Sequence, residues 1–275
     1  MSDSKYLIEK VLNNNSIIAK DSLNESVILI GKGIGFNKKV DQYFVFNDGD
    51  IERSFYNFDK SSKNQIVDMI RNYDEEIIDI SNDIIKLAEK RFGVLNQHVF
   101  VSLTDHLNFA IDRLRNDFFI SNPFAEQIPL ILFQEYEVAL EAKKIIKDRI
   151  NIDIPEEEVG FIAFHINSAR EHIKVNNVVL EMRLYKDIVR MVEEKLNIKL
   201  DQTKGLDLYF IIQSFIQTEK VIFQFLEDYL DEKIIASGTK KQELTTIIID
   251  YLEEQLDKKL DKSHRKLLYA YINSI

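Results

Sequence analysis

Residues 30–39 read IGKGIGFNKK and hold three of the chain's eight glycines, at 31, 33 and 35. A glycine-rich turn that opens a helix can wrap a pyrophosphate with its backbone N–H groups. The spacing here fits neither the dinucleotide fingerprint nor a Walker loop, because Lys32 is not followed by Ser or Thr at the end of a Gly-x-x-x-x-Gly-Lys run. The sequence that follows, KKVDQYFVFNDGDIERSFY (38–56), alternates polar with aromatic or β-branched residues around Asn47–Asp48–Gly49. It predicts strand, turn, strand rather than a helix N-terminus. The glycines then mark places where an antiparallel sheet bends, bulges or admits another backbone at close range.

On the N-terminal side of the glycines, YLIEKVLNNNSIIAK (6–20) gives two short apolar runs around an Asn triplet, and SVILI (26–30) gives another strand. Residues 1–57 therefore read as a small antiparallel β unit of about four strands. It carries seven basic residues (Lys5, Lys10, Lys20, Lys32, Lys38, Lys39, Arg53) and eight acidic ones, so it is near neutral. After Asn57 the period becomes 3.6. The polar stretch NFDKSSKNQ (57–65) reads as a linker running into a helix capped by Ser61 or Ser62. Helices are expected over roughly 64–91, 97–116, 132–149, 155–173, 177–196, 206–230, 239–257 and 261–275. Pro123 and Pro129 interrupt one stretch; Pro155 followed by Glu156, Glu157 and Glu158 is a favourable helix start. FHINSA (164–169) and AYINSI (270–275) align 106 residues apart, which predicts an internal duplication of helical bundles divided near residue 174.

The chain has 275 residues, 45% of them hydrophobic, enough to bury cores in two or three domains. There is no cysteine, hence no disulfide and no thiolate metal site, as suits a reducing cytosol. No apolar run approaches the ~20 residues of a membrane span, so the expectation is a soluble, cytoplasmic protein without membrane insertion. The net charge of −10 disfavours polyanion binding by the chain as a whole, so a nucleic-acid site would have to be local.

Of the five histidines (His98, His106, His165, His172, His264), two have informative surroundings. His106 lies at the border of the helical stripe Leu103, Leu107, Ala110, Ile111, Leu114, and His165 lies beside Phe161, Ile162 and Ala169; each has Asn two residues on. One reading makes each a core-edge histidine satisfied by a neighbour. The other makes it a partly exposed imidazole that accepts a phosphoryl group, oriented by a group such as Asp105. Two imidazoles without a defined carboxylate partner specify no metal.

Three features occur in order: KVLNNNSIIA with GKGIGF in the β unit, TDHLNFAIDRL in one helix, and EEEVGFIAFHINSA in a later one. Together they resemble the BglG/SacY family of bacterial transcriptional antiterminators along essentially the whole chain. The resemblance implies an α+β multidomain protein: an RNA-binding co-antiterminator β domain (1–57), a linker (58–65), and two all-α phosphotransferase-system (PTS) regulation domains (66–174 and 175–275). It implies a homodimer whose β domains grip an RNA hairpin overlapping a terminator in a sugar-operon leader, with no cofactor. By motif position Lys10, Asn13, Asn15, Gly31, Lys32, Gly33 and Phe36 are the expected RNA contacts, Lys32 supplying charge and Phe36 a stacking face. The Asn triplet reads equally as a plain hairpin turn, and Lys38 and Lys39 as edge-strand protection.

The resemblance also makes His106 and His165 phosphorylation sites, served by the cytoplasmic domain of a sugar permease or by the phosphocarrier HPr. The second bundle departs from the pattern: GLDLYFIIQSF puts Leu208, give or take a residue, where a histidine is expected, and Tyr271 stands at the other position. His264 reads as a surface residue near a helix start. Activation through this bundle is then lost, leaving it a structural role such as a dimer contact. Competing readings are a DNA-binding regulator, disfavoured by the lack of a basic recognition helix in 1–57, a regulator with a constitutive helical dimerisation module, and an enzyme using His106 and His165 as acid and base, for which no nucleophile or cofactor loop is evident.

Overall fold

The structure is a computed structural model and describes residues 5–47, 49–56, 60–171, 175–217 and 239–275. His172, Asp48 and the 218–230 part of the expected helix 206–230 lie outside the described residues, as do the side chains of Ser61 and Ser62.

Strands β1 (Lys5–Asn13), β2 (Ser16–Lys20), β3 (Ser26–Ile30), β4 (Tyr43–Val45) and β5 (Arg53–Phe55) form one antiparallel sheet in the order β4-β1-β2-β3-β5. The runs IIA (17–19) and VILI (27–30) are continuously apolar rather than alternating, which suits strands buried on both faces. One face carries Ile8, Ile17, Ala19, Val27 and Leu29 beneath Ile34 and Phe46. Ile18, Ile28, Ile30 and Phe55 are buried as well. The Phe55 ring lies 5.0 Å from that of Phe100, and burial of such a side chain stabilises by about 1.5–3 kcal/mol.

The sheet has five strands rather than about four, and residues 38–56 do not make a hairpin. β4 pairs with β1 and β5 with β3, on opposite edges. The turn signal is nonetheless real: the Asp50 N–H donates to the Asn47 carbonyl at 3.1 Å, and the Asp50 carboxylate accepts from the Asn47 N–H at 2.8 Å. A local turn does not decide pairing here, because the β1-β2-β3 meander leaves two open edges and each three-residue strand covers one.

Among the described residues the helices are α1 (Lys60–Asn72), α2 (Glu75–Phe92), α3 (His98–Arg115), α4 (Ile128–Ile131), α5 (Phe133–Ile150), α6 (Glu156–Arg170), α7 (Val175–Leu196), α8 (Gln202–Gln217), α9 (Thr239–Leu256) and α10 (Lys262–Ser274). The single helix expected over 64–91 is two. Asp74 caps α2 by accepting the Glu76 N–H at 3.1 Å, and Glu75 and Glu76 place negative charge in its first turn.

The chain groups into two compact units, Met1–Ile120 with Leu140–Pro155, and Ser121–Ala139 with Glu156–Ile275. In the first, α1 packs on β1 and α2 on α3. In the second, Ile188, Leu208, Ile212, Ile248 and Leu268 share a core drawn from α7 to α10. One corner recurs. α5, α7 and α9 are followed by Asn151, Asn197 and Asp257 at φ 56°, 55° and 48°, residue types that tolerate the left-handed region. At two of these corners a helix carboxylate closes the turn. Glu193 accepts from the Leu200 N–H (3.0 Å) and Lys199 (2.6 Å), as Glu253 does from the Leu260 N–H (3.0 Å) and Lys259 (2.6 Å).

Candidate nucleic-acid interface and histidine positions

The Asn triplet and the glycine loop form one interlocked substructure. β1 and β2 join through Asn14 and Asn15, with Asn13 opposite Ser16. The Asn13 carboxamide oxygen accepts the Asn15 N–H at 2.9 Å. Asn15 in turn accepts from the glycine loop twice, through its side-chain oxygen from the Gly33 N–H (2.7 Å) and through its carbonyl from the Gly31 N–H (2.9 Å). The Asn14 carbonyl accepts from the Gly35 N–H at 2.8 Å. None of the three Asn residues has a positive φ, so the triplet is a side-chain-stabilised turn rather than one that exploits the left-handed region.

The glycines serve close approach. A Cβ on Gly31 would collide with the Asp50 carbonyl oxygen, and one on Gly35 with that of Asn13, while Gly33 is exposed at φ 72°. β1 also shifts register against β2 between Ile8 and Lys10 and again between Val11 and Asn13. Bulges of this kind re-aim side chains, and Lys10 and Asn13 directly follow them.

Lys10, Lys32, Gly33 and Phe36 are exposed, Phe36 at 59%, and Asn13 and Asn15 are half-buried. Gly31 is buried and shapes the loop from beneath. Lys38 lies over the Phe44 ring, 4.2 Å from its centroid, and so covers the β4 edge.

His106 on α3 and His165 on α6 are both half-buried at the rim of an apolar stripe. Asp105 does not orient His106. Its carboxylate accepts the Tyr73 hydroxyl, and this bond, with burial, pushes the Tyr73 pKa up to about 12. Consecutive helical residues do not face one another, and Tyr73 in the α1–α2 turn carried no sequence signal for the contact. His264 is a second correction: its side chain is 12% exposed, bonded through Nδ1 to Asp261 (2.9 Å) and edge-on to Phe215 at 4.9 Å, rather than on the surface. Burial pushes its pKa down.

In the second bundle, Leu208 and Tyr271 both belong to the core, and the Tyr271 hydroxyl donates to the Lys204 carbonyl at 2.9 Å. Burial also corrects the alignment. Phe100, Leu103, Thr104, Leu107 and Ala110 of α3 match Gly205, Leu208, Tyr209, Ile212 and Phe215 of α8, all buried. Leu208 therefore answers to Leu103, and Ile211 answers to His106. Among the described residues no cluster of three His, Asp or Glu could hold a metal ion, and no helix is long and apolar enough to cross a membrane.

Comparison with known proteins gives two family matches, a CAT RNA binding domain over residues 6–64 and a PRD domain over residues 79–169. The GlcA/glcB genes antiterminator of Staphylococcus carnosus is 32% identical over 203 residues, covering 72% of this chain and 69% of that protein. The transcription antiterminator LicT of Bacillus subtilis is 26% identical over 272 residues, covering 97% and 96%. The beta-glucoside operon antiterminator of Dickeya chrysanthemi is 31% identical over 196 residues, covering 71% and 69%. The crystal structure of GlcT CAT-PRDI matches with a TM-score of 0.55 at 38% identity, over 60% of this chain and 98% of that one.

Proposed function

The chain belongs to the BglG/SacY-type family of transcriptional antiterminators, and from that premise we propose how its residues carry the activity. The β domain, 1–57, binds an RNA hairpin and keeps it from rearranging into a terminator. Lys10 and Lys32 meet phosphates, the Asn13 and Asn15 side-chain amides donate to RNA acceptors, Gly33 lets the backbone come close, and Phe36 stacks on an unpaired base. The observation that carries this reading is the interlock of the Asn turn with the glycine loop, which fixes an exposed cation and an exposed aromatic ring on one rigid platform. The protein works in the cytoplasm as a homodimer and catalyses no reaction of its own.

Residues 66–174 form a regulation domain, joined to the β domain by the linker 58–65. A ring nitrogen of His106 or His165 attacks the phosphoryl group of a PTS protein, HPr or the permease's cytoplasmic domain. The new N–P bond forms as the donor's bond to phosphorus breaks. The added charge is about −1.5 to −2, by analogy with other phosphorylated side chains, and it re-pairs helices across the dimer. Residues 175–275 form a second, degenerate regulation domain with a structural role, because isoleucine and a buried tyrosine occupy the acceptor positions.

Fluorescence anisotropy of the full chain against a panel of bulged RNA hairpins and duplex DNA, at two salt concentrations, tests the reading. Binding confined to RNA, weakened by salt and by Lys32→Ala and Phe36→Ala, is expected. Asn15→Ala is a poorer probe, because it also cuts the tether to Gly33. Equal affinity for duplex DNA, or no hairpin bound by a folded chain, would overturn it.

A further inference from the structure

The glycine loop is tied to the Asn turn on one side and to helix α2 on the other, through the segment 50–53. The Asp50 carbonyl occupies the space where Gly31 would carry a Cβ, and the Glu52 N–H donates to the Ile30 carbonyl at 2.8 Å. Beyond Ile30 the segment turns its side chains to α2. One oxygen of the Glu52 carboxylate accepts from Lys86 Nζ at 2.6 Å and from Asn82 Nδ2 at 2.7 Å. Asn82, only 2% exposed, uses its carboxamide oxygen to accept from Arg53 Nε at 2.9 Å, and Arg53 also pairs with Glu89 at 3.0 Å. Asn82, Lys86 and Glu89 stand four and three residues apart, on one face of α2.

Burial by itself would raise the Glu52 pKa; favourable neighbours, Lys86 first and Asn82 among them, more than offset it and hold the pKa below its ordinary value. The carboxylate is thus charged and accepts from two side-chain donors on α2.

We propose that Glu52 is a positioning residue for RNA binding: its backbone N–H holds the Ile30 carbonyl at the root of the RNA-contacting loop, while its carboxylate is clamped by Asn82 and Lys86 on the α2 face of the regulation domain. This rests on the loop being the RNA site. The coupling runs both ways, as any linkage of binding free energies must. A helix movement that draws Asn82 and Lys86 off Glu52 loosens its hold on Ile30 and the loop that follows, and RNA that orders the loop holds α2 in place. The clamp lies inside the first compact unit, so one chain suffices for it.

The test uses the full chain and two readouts: anisotropy with a fluorescein-labelled bulged hairpin that the wild type binds, and amide hydrogen exchange over residues 30–36. Asn82→Ala lies on α2, outside the proposed contact set. It should weaken RNA binding about fivefold or more, the lower range of known couplings, and speed exchange of the loop while the β2–β3 amides stay protected. Lys86→Met, at a side chain 41% exposed, should act in the same direction without risk to the fold, and Lys86→Arg should retain wild-type behaviour. Unchanged affinity and unchanged loop exchange in a folded Asn82→Ala or Lys86→Met chain overturn the clamp and leave the RNA reading intact. A wild type that binds no hairpin, with loop exchange still sensitive to Asn82→Ala, overturns the RNA reading and the positioning role with it.

Discussion

Helices α6 and α10 start from the same kind of corner and end on different chemistry. Asn151 and Asp257 turn the chain through the left-handed region, and Ile154 and Leu260 follow as buried anchors. Asn167 and Asn273 lie two residues beyond the positions compared, His165 and Tyr271. The imidazole is half-buried at a stripe edge, whereas the phenol is 6% exposed and spends its hydroxyl on the Lys204 carbonyl. α3 and α8 repeat the contrast, half-buried His106 against Ile211. The framework of caps and buried aliphatic residues is thus independent of the group it presents, and a bundle can keep the first while losing the second.

A phosphoryl group in the second bundle would undo the contrast between the two halves outright. With a charged PTS donor, acid-free mass spectrometry should find phosphohistidine at His106 and His165 and none within 175–275, even though His264 lies there. Its discovery at His264 would mean that the second bundle has moved its acceptor rather than lost it.

Next in size is the stability contrast. Leu208→Ala should cost about 2–5 kcal/mol, as deletion of a fully buried leucine does. His106→Ala should cost less than about 1 kcal/mol, since a half-buried rim residue creates little cavity. Denaturant unfolding measures both. Tyr271→His sharpens the point by restoring the expected residue. It should lose about 1–3 kcal/mol, leaving the Lys204 carbonyl without its donor, and still take no phosphoryl group. A stable variant that is phosphorylated at residue 271 would show that burial in the wild type is not what excludes the donor.

Much of this was legible in the sequence because it is local and periodic. Continuous apolar runs at 17–19 and 27–30 specified strands, and the 3.6 period specified the longer helices, with α1 and α2 read as one and the four-residue α4 missed. The glycine spacing specified close backbone approach, found at Gly31 and Gly35. What escaped was set by partners far along the chain. The Asn47–Gly49 signal was a true turn, yet the open edges of the meander decided where β4 and β5 went. Asp105 looked like an aid to His106 until Tyr73, 32 residues away, claimed it. The carboxylate of Glu52 belongs to no motif, and its α2 partners lie about thirty residues away. Asp74 is a different case: its capping pattern with Glu75 and Glu76 was visible, and a strong apolar period on both sides of it hid the break.

The smallest effect concerns the two corners that share a closing carboxylate. In Glu193 the Lys199 hydrogen bond, and in Glu253 the Lys259 hydrogen bond, lead the causes that hold the pKa below the ordinary value of 4.5. A carboxylate with a depressed folded pKa adds stability that is present above its unfolded value and disappears as pH falls through the lower folded one. Both corners should therefore hold at neutral pH and weaken below about pH 4.5, and Tm should fall less steeply with acid in Glu193→Gln and Glu253→Gln than in the wild type. Each variant would start from a lower Tm at pH 7. If the corners are equivalent devices, the two Tm-against-pH curves will differ from wild type in the same pH window. A window confined to Glu253→Gln would instead trace the effect to Arg265, which also reaches the Glu253 carboxylate, and would make the α9–α10 corner a three-partner site rather than a copy of the other.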